Sequence, residues 1–197
     1  MMINNEKNNN RLSQGDIYKN ITYIEKINSI DDYLEIQQIV FPNVVVLTQD
    51  CDIQQHLSDV NKTKSSQLFS VLVAPLYNIA HFVHGEHLSN LKIEGESFIS
   101  SKNKGKELLN TGIYVNSKGI SLVNNEIPRY HVLDFSKENT ELPISVVDFK
   151  HYFSISADFL EKEKNEDFIC TLNPLYRELL TQRFSNYLSR IGLPNPQ

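Results

Sequence analysis

Asp50-Cys51-Asp52 sets two carboxylates around one thiol. A nucleophilic thiol needs a base and a positive neighbourhood, whereas flanking carboxylates disfavour the thiolate. The same residues could bind a cation through their carboxylates, or cap a turn with Cys51 buried. In a second group, His81-x-x-His84-x-x-His87, three imidazoles recur with Glu86 between the last two. That spacing departs from the H-E-x-x-H pattern of a zinc helix and Gly85 interrupts it, so solvated or capping roles compete with ligation. His131 and His151 lie in apolar alternating runs and are expected to face inward. There they would be hydrogen-bonded core imidazoles or site histidines titrating near neutrality. Asp148 and Lys150 fall on the face opposite His151 and are expected in solvent. Read as an enzyme, the chain offers Asp50, Cys51, Asp52, His131 and His151 as catalytic candidates. Arg177, Arg183 and Arg190 lie on the last apolar-periodic segment, with Arg183 and Arg190 within about 20° of each other on a helix. With Arg129, Arg183 and Arg190 are the binding candidates, either for a phosphate backbone or for carboxylates on the rest of the fold.

The elements that must position these groups are mostly strands. Ile17 to Ile27 is dense in Ile and Tyr, and Tyr33 to Phe41 supports either a strand or a helix over 31–40. Val44-Val45-Val46-Leu47 is too short for a helix and continuously apolar, as expected of a central strand buried on both faces. Leu68 to Leu76 is its natural partner, beyond a polar loop at 61–67. Tyr77 to Leu91 has helical spacing. Further strands are expected at Gly112 to Val115, Gly119 to Val123, Tyr130 to Phe135 and Val146 to Ile155. Asn173 and Pro174 open a helix whose apolar stripe runs from Tyr176 to Ile191, with Gly192 and Pro194 as stop signals. Residues 1–14 are too polar to offset their ordering entropy and are expected to form a mobile leader. Residues 15–197 then form one domain, with a barrel-like core at 15–80, an elaboration at 81–172 and the helix at 173–192. The fold class is mainly β (α+β), an antiparallel β core with added strands and a C-terminal amphipathic helix.

The 197 residues, 40% hydrophobic and 22% charged, can bury a core without metal or disulfide staples. A net charge of -5 supplies no general basic field for nucleic acid or anionic lipid. No apolar run reaches membrane-spanning length and no signal-peptide core opens the chain, so a cytoplasmic protein with no membrane partner is expected. The two cysteines are far apart and form no CxxC pair. No phosphate-loop, dinucleotide or lipase-type glycine motif occurs, and neither a cofactor nor a metal is called for.

Three signatures follow in order: Gln14-Gly15-Asp16-Ile17-Tyr18, then Val44-Val45-Val46-Leu47-Thr48-Gln49-Asp50, then Val71-Leu72-Val73-Ala74-Pro75-Leu76. Together they resemble the PemK/MazF family of small toxins over about residues 14 to 80. The resemblance implies an SH3-like β-barrel and, in active members, metal-free endoribonuclease chemistry. The chain departs from the family pattern at two positions. Pro42-Asn43 stands where Arg-Pro is expected, and Tyr77 stands where a threonine is expected. Both changes remove proton-transfer and charge-stabilising groups that RNA cleavage uses. Tyr77 thereby joins the binding candidates. Beyond the opening strands the chain looks like a larger bacterial group.

The leading expectation is therefore a diverged barrel that binds a protein, RNA or DNA partner without toxin ribonuclease chemistry, in a bacterial toxin-antitoxin, phage or defence-type setting, with a homodimer compatible. Its rival is a nuclease or other hydrolase with a relocated Asp/Cys/His site.

Overall fold

The computed structural model describes residues 1–4, 11–30, 33–58, 68–163 and 166–190. The polar loop at 61–67 and the helix stop at Gly192 and Pro194 lie outside them. Alternating Ile and Tyr residues build β2 (Asp16–Ile30), which pairs with β3 (Tyr33–Val46) in register from Ile17↔Val45 to Ile30↔Tyr33. Tyr33 to Phe41 is thus a strand, and it runs unbroken into the Val44–Val46 segment. That segment pairs on its other edge with β4 (Ser70–Asn78). Val44, Val45 and Val46 are fully buried because this part of β3 has sheet on both edges and packing on both faces.

The remaining strands complete an antiparallel sheet that curls into a half-barrel. They are β1 (Ile3–Asn4), the short ribbon β5 (Lys106–Glu107) with β6 (Tyr114–Val115), β7 (Tyr130–Leu133), β8 (Ser145–Asp148), β9 (Phe153–Ser156) and β10 (Phe168–Leu172). The main sheet runs β1-β10-β2-β3-β4-β8-β7, with β9 also on β4, and the β5–β6 ribbon is separate. No helix among the described residues is long and apolar enough to cross a membrane.

Strand alternation divides the core. Tyr18, Val44, Val46 and Val73 pack on one face with Phe82 and Val83, carried by α2 (Ile79–His84). Ile17, Val45, Leu76 and Val147 pack on the other with Leu180 and Phe184. These last two belong to the C-terminal helix, Pro174–Leu188. Two shorter helices, α1 (Asp50–Ser58) and α3 (Ser117–Val123), follow β3 and β6, and α4 (Ala157–Glu163) follows β9, which makes the C-terminal helix α5.

Several expectations are corrected. The segment expected as a strand at Gly119 to Val123 is α3, because the Asn116 side chain accepts from Gly119 N at 3.0 Å and caps a helix instead. The strand expected over Val146 to Ile155 breaks into β8 and β9 around a 3₁₀ turn at Phe149–His151, opened by Lys150 N donating to Asp148 Oδ1 at 3.0 Å. The leader is anchored on both sides of residues 5–10, which lie outside the described residues. Met2, Ile3 and Leu12 are buried and β1 pairs with β10. Of the expected stripe, whose Ile191 lies outside the described residues, only Leu180 and Phe184 are buried among the described residues; Leu179 and Leu188 are exposed. Asn173 does not cap α5 with its side chain, whose amide donates to Met1 O at 2.9 Å and so ties the chain's start to the helix.

Candidate functional site

A cleft containing the candidate Tyr77 lies between the base of the β2–β3 hairpin, β4 and the segment after α2. It has a volume of about 590 Å³, with Phe41, Pro42 and Asn43 on one wall, Tyr77 at its floor and His87, Leu88 and Leu91 opposite. The two positions at which the chain departs from the PemK/MazF pattern therefore face one space.

Local sequence places each group. Asn78 ends β4 and caps α2 by accepting from Ala80 N at 2.9 Å. Gly85 ends α2 with φ +81°, a left-handed conformation that side chains resist. Its carbonyl accepts from Gly95 N at 3.0 Å. A Cβ on Gly85 would lie 2.7 Å from Gly95 O, and one on Gly95 would lie 2.7 Å from His87 Cε1. These two glycines let the loop close and seat the His87 ring. That ring stacks on Phe82 at 4.1 Å and tilts against Tyr77 at 4.9 Å, while Phe82 meets Tyr130 edge-on at 5.0 Å.

Tyr77 Oη and His87 Nδ1 are buried without hydrogen-bond partners among the described residues. Burial pushes the Tyr77 phenol upward, with Asp148 adding to it. Burial likewise lowers His87 to about 4, Asp148 opposing while His151 and Arg129 assist. At neutral pH the cleft thus presents a neutral phenol and a neutral imidazole.

Behind Tyr77 and His87 lies a buried charge cluster. Asp148 is fully buried, and Arg129 grips it with Nε at 2.8 Å and Nη2 at 2.6 Å. His151 Nδ1 stands 2.9 Å from Asp148 Oδ2. Burial alone would raise the Asp148 carboxyl, but Arg129 and His151 outweigh it and hold it at about 2. The expectation that Asp148 is solvated is corrected: β8 is buried along its whole length, Val146 packing in one half of the core and Val147 in the other, so the face opposite Val147 meets protein instead of solvent. Lys150 is exposed as expected.

The five catalytic candidates are not gathered. Asp50 and Cys51 line a different cleft of about 440 Å³ with Gln14 and Glu178. Asp50 there receives Arg177 Nη1 at 2.5 Å and Gln14 N at 2.7 Å, which fixes α5 to the start of α1. Cys51 and Asp52 are exposed. His131 is buried, as expected, on β7 and lines a third cleft of about 620 Å³ with Tyr176 and Leu179. Neither of its ring nitrogens has a partner, and burial with Arg183 lowers it to about 3. His151 faces Asp148 instead. The three histidines near α2 also diverge, His81 toward Glu86 at 3.6 Å, His84 onto Ala80 O at 2.7 Å and His87 into the cleft. No group of three or more His, Cys, Asp or Glu residues converges among the described residues.

The binding arginines are engaged within the fold. Arg183 Nη2 donates to Tyr130 O at 3.0 Å and to Ile127 O at 3.3 Å. Arg190 lies beyond the end of α5, donates to Tyr187 O at 3.0 Å and covers the Tyr187 ring at 4.0 Å. The sequence reading missed Asp148 and His87 as cleft neighbours; the Asp148-x-Lys150 spacing of a side-chain-closed turn was the available signal. The chain matches no protein-family model and no curated protein.

Proposed function

We propose that the chain is a binding protein, built on a diverged SH3-like barrel of PemK/MazF type without the toxin's ribonuclease chemistry. Its cleft receives an uncharged, largely apolar stretch of a protein partner. The observation that carries this reading is the chemistry of the cleft wall. Pro42 and Tyr77 occupy it in place of the arginine and threonine that the resemblance implies, and no Lys or Arg lines it among the described residues. A phosphate backbone needs cations, and RNA cleavage needs a proton carrier matched to neutral pH. The cleft instead combines Phe41, Leu88 and Leu91 with the amides of Gln38, Asn43 and Asn78, the carboxylate of Glu86 and two unpartnered neutral groups, Tyr77 Oη and His87 Nδ1, which suits an apolar segment carrying a few hydrogen-bonding atoms.

The test pairs a phage-displayed random peptide library with a labelled single-stranded RNA of mixed sequence. Apolar peptides should be enriched, and their affinity should fall about 10-fold or more in Leu91→Asp, which sets a charge in the apolar wall. RNA should be neither retained nor cut. Failure to select any peptide above background overturns the cleft assignment. RNA turnover abolished by His151→Ala would establish the rival hydrolase instead, with Asp148 as the group that orients the base.

A further inference from the structure

β2 and β3 pair with each other to their tips, but the sheet holds only their bases. β10 reaches β2 at Asp16–Tyr18, and β4 reaches β3 at Asn43–Val46. Beyond Ile21 and Phe41 the hairpin continues as a two-stranded arm of nine residues on β2 and eight on β3, about 30 Å long at the usual rise per residue.

Directly opposed residues of an antiparallel pair share a face. The register therefore puts Ile24, Ile27, Leu34, Ile36 and Val40 on one side of the arm. Strict alternation would separate Ile24 from Ile27. The bulge between Ile24 and Lys26 inserts one extra residue and returns both to the same side. These side chains are 49%, 57%, 69%, 48% and 56% exposed, respectively. The other paired positions on that side are Thr22, Ser29 and Gln38, all uncharged; Glu25 is the bulge's extra residue and has no register partner. Lys26 and Glu35 lie on the opposite face.

We propose that this face is a self-association surface, on which two copies stack the apolar sides of their β2–β3 arms about a two-fold axis. A lone two-stranded ribbon gains too little burial to stand in water, whereas two ribbons face to face make a small two-layer sandwich with sheets about 10 Å apart. The face suits its own copy because a two-fold contact apposes one patch with itself, and the paired positions of this patch, all uncharged, meet no like charge there. Two such faces would remove roughly 600–1,000 Å² from water, below the standard size for specific complexes, so the expected dimer is of micromolar strength. This surface borders the cleft, whose lining includes Gln38 and Val40, but rests on the arm's own register and exposure and stands or falls without the cleft reading.

Sedimentation equilibrium of the full chain over a range of micromolar concentrations tests the proposal. The wild-type chain should show a monomer–dimer equilibrium. Ile27→Lys with Leu34→Lys should weaken it at least 100-fold, and circular dichroism should report an unchanged fold because both side chains are exposed. Gln37→Lys, on the opposite face, should leave the dimer intact. A wild-type chain that stays monomeric at every concentration overturns the proposal. So does a dimer that survives the double substitution, or open-ended assembly through the arm's edges that the substitutions do not affect.

Discussion

Replacing His131 with leucine should stabilise the protein and remove part of its acid sensitivity. The imidazole is 2% exposed, pairs in register with Val147 and has no partner for either nitrogen. Its proton affinity is lowered from 6.5 to about 3, first by burial and then by the Arg183 charge. The unfolded chain therefore takes up a proton as pH falls through 6.5, while the folded chain resists until about 3. Stability contributed by the neutral ring is fully present above 6.5 and is lost across that window. At about pH 4.5 the loss is two units below the unfolded value, or about 3 kcal/mol. Leucine cannot take up the proton, and it also removes two unsatisfied polar atoms, a gain of about 1–3 kcal/mol at any pH. The variant should thus exceed the wild type by about 1–3 kcal/mol at about pH 7 and by about 4–6 kcal/mol at about pH 4.5. The chain has no tryptophan, so urea unfolding is best followed by far-ultraviolet circular dichroism at the two pH values. His87, lowered to about 4, keeps a residual slope of the same sign in both proteins. Equal stability differences at the two pH values would show that His131 is protonated or solvated in the fold, and the reasoning would fail.

Arg129→Met should cost about 3–5 kcal/mol by leaving the Asp148 carboxylate buried without its partner, and adding Asp148→Asn should recover much of that in denaturant titrations. The same pair predicts acid lability: the Asp148 contribution is present above its ordinary value near 3.8 and is lost as pH falls toward 2, a loss the double variant should not show. Gly15→Ala should lower stability by about 1–3 kcal/mol, since φ is +78° and a Cβ would lie 2.5 Å from Arg177 Cγ, disturbing the Arg177–Asp50 pair; thermal unfolding reads this directly. A chromogenic disulfide reagent should titrate one thiol in the native protein and two in denaturant, because Cys51 is exposed whereas Cys170 is buried and pushed up to about 12.

Local chemistry made the central strands and the last helix legible. Val44-Val45-Val46 could satisfy its apolar surface only inside a sheet, and Asn173-Pro174 marked the start of α5 whatever the Asn173 side chain went on to bind. The hairpin was legible only in halves, because its outer part alternates apolar and polar residues yet buries few of them. Asp148 was misread because period-2 alternation was taken to set a buried face against a solvated one, whereas β8 is buried on both, with Val146 in one half of the core and Val147 in the other. Its partner Arg129 lies 19 residues away, beyond the reach of any local pattern. The burial of Met2 and Ile3 depends on β10, about 170 residues further on, so composition alone made that segment look unanchored.

That last pairing bears on how the fold is reached. Ile3 meets Leu172 and Asn4 meets Thr171, and β10 in turn pairs with β2 at Asp16–Tyr18. One flank of the half-barrel therefore consists of contacts between the most distant parts of the chain, and loop closure of that length precedes any reward from burial. During synthesis, Ile17 and Cys170 would have no cover for each other until β10 had left the ribosome. The apolar arm formed by β2 and β3 is local in sequence and can pair much earlier. For that interval the nascent chain would present a formed ribbon beside an open sheet edge, the arrangement most prone to mispairing with other chains.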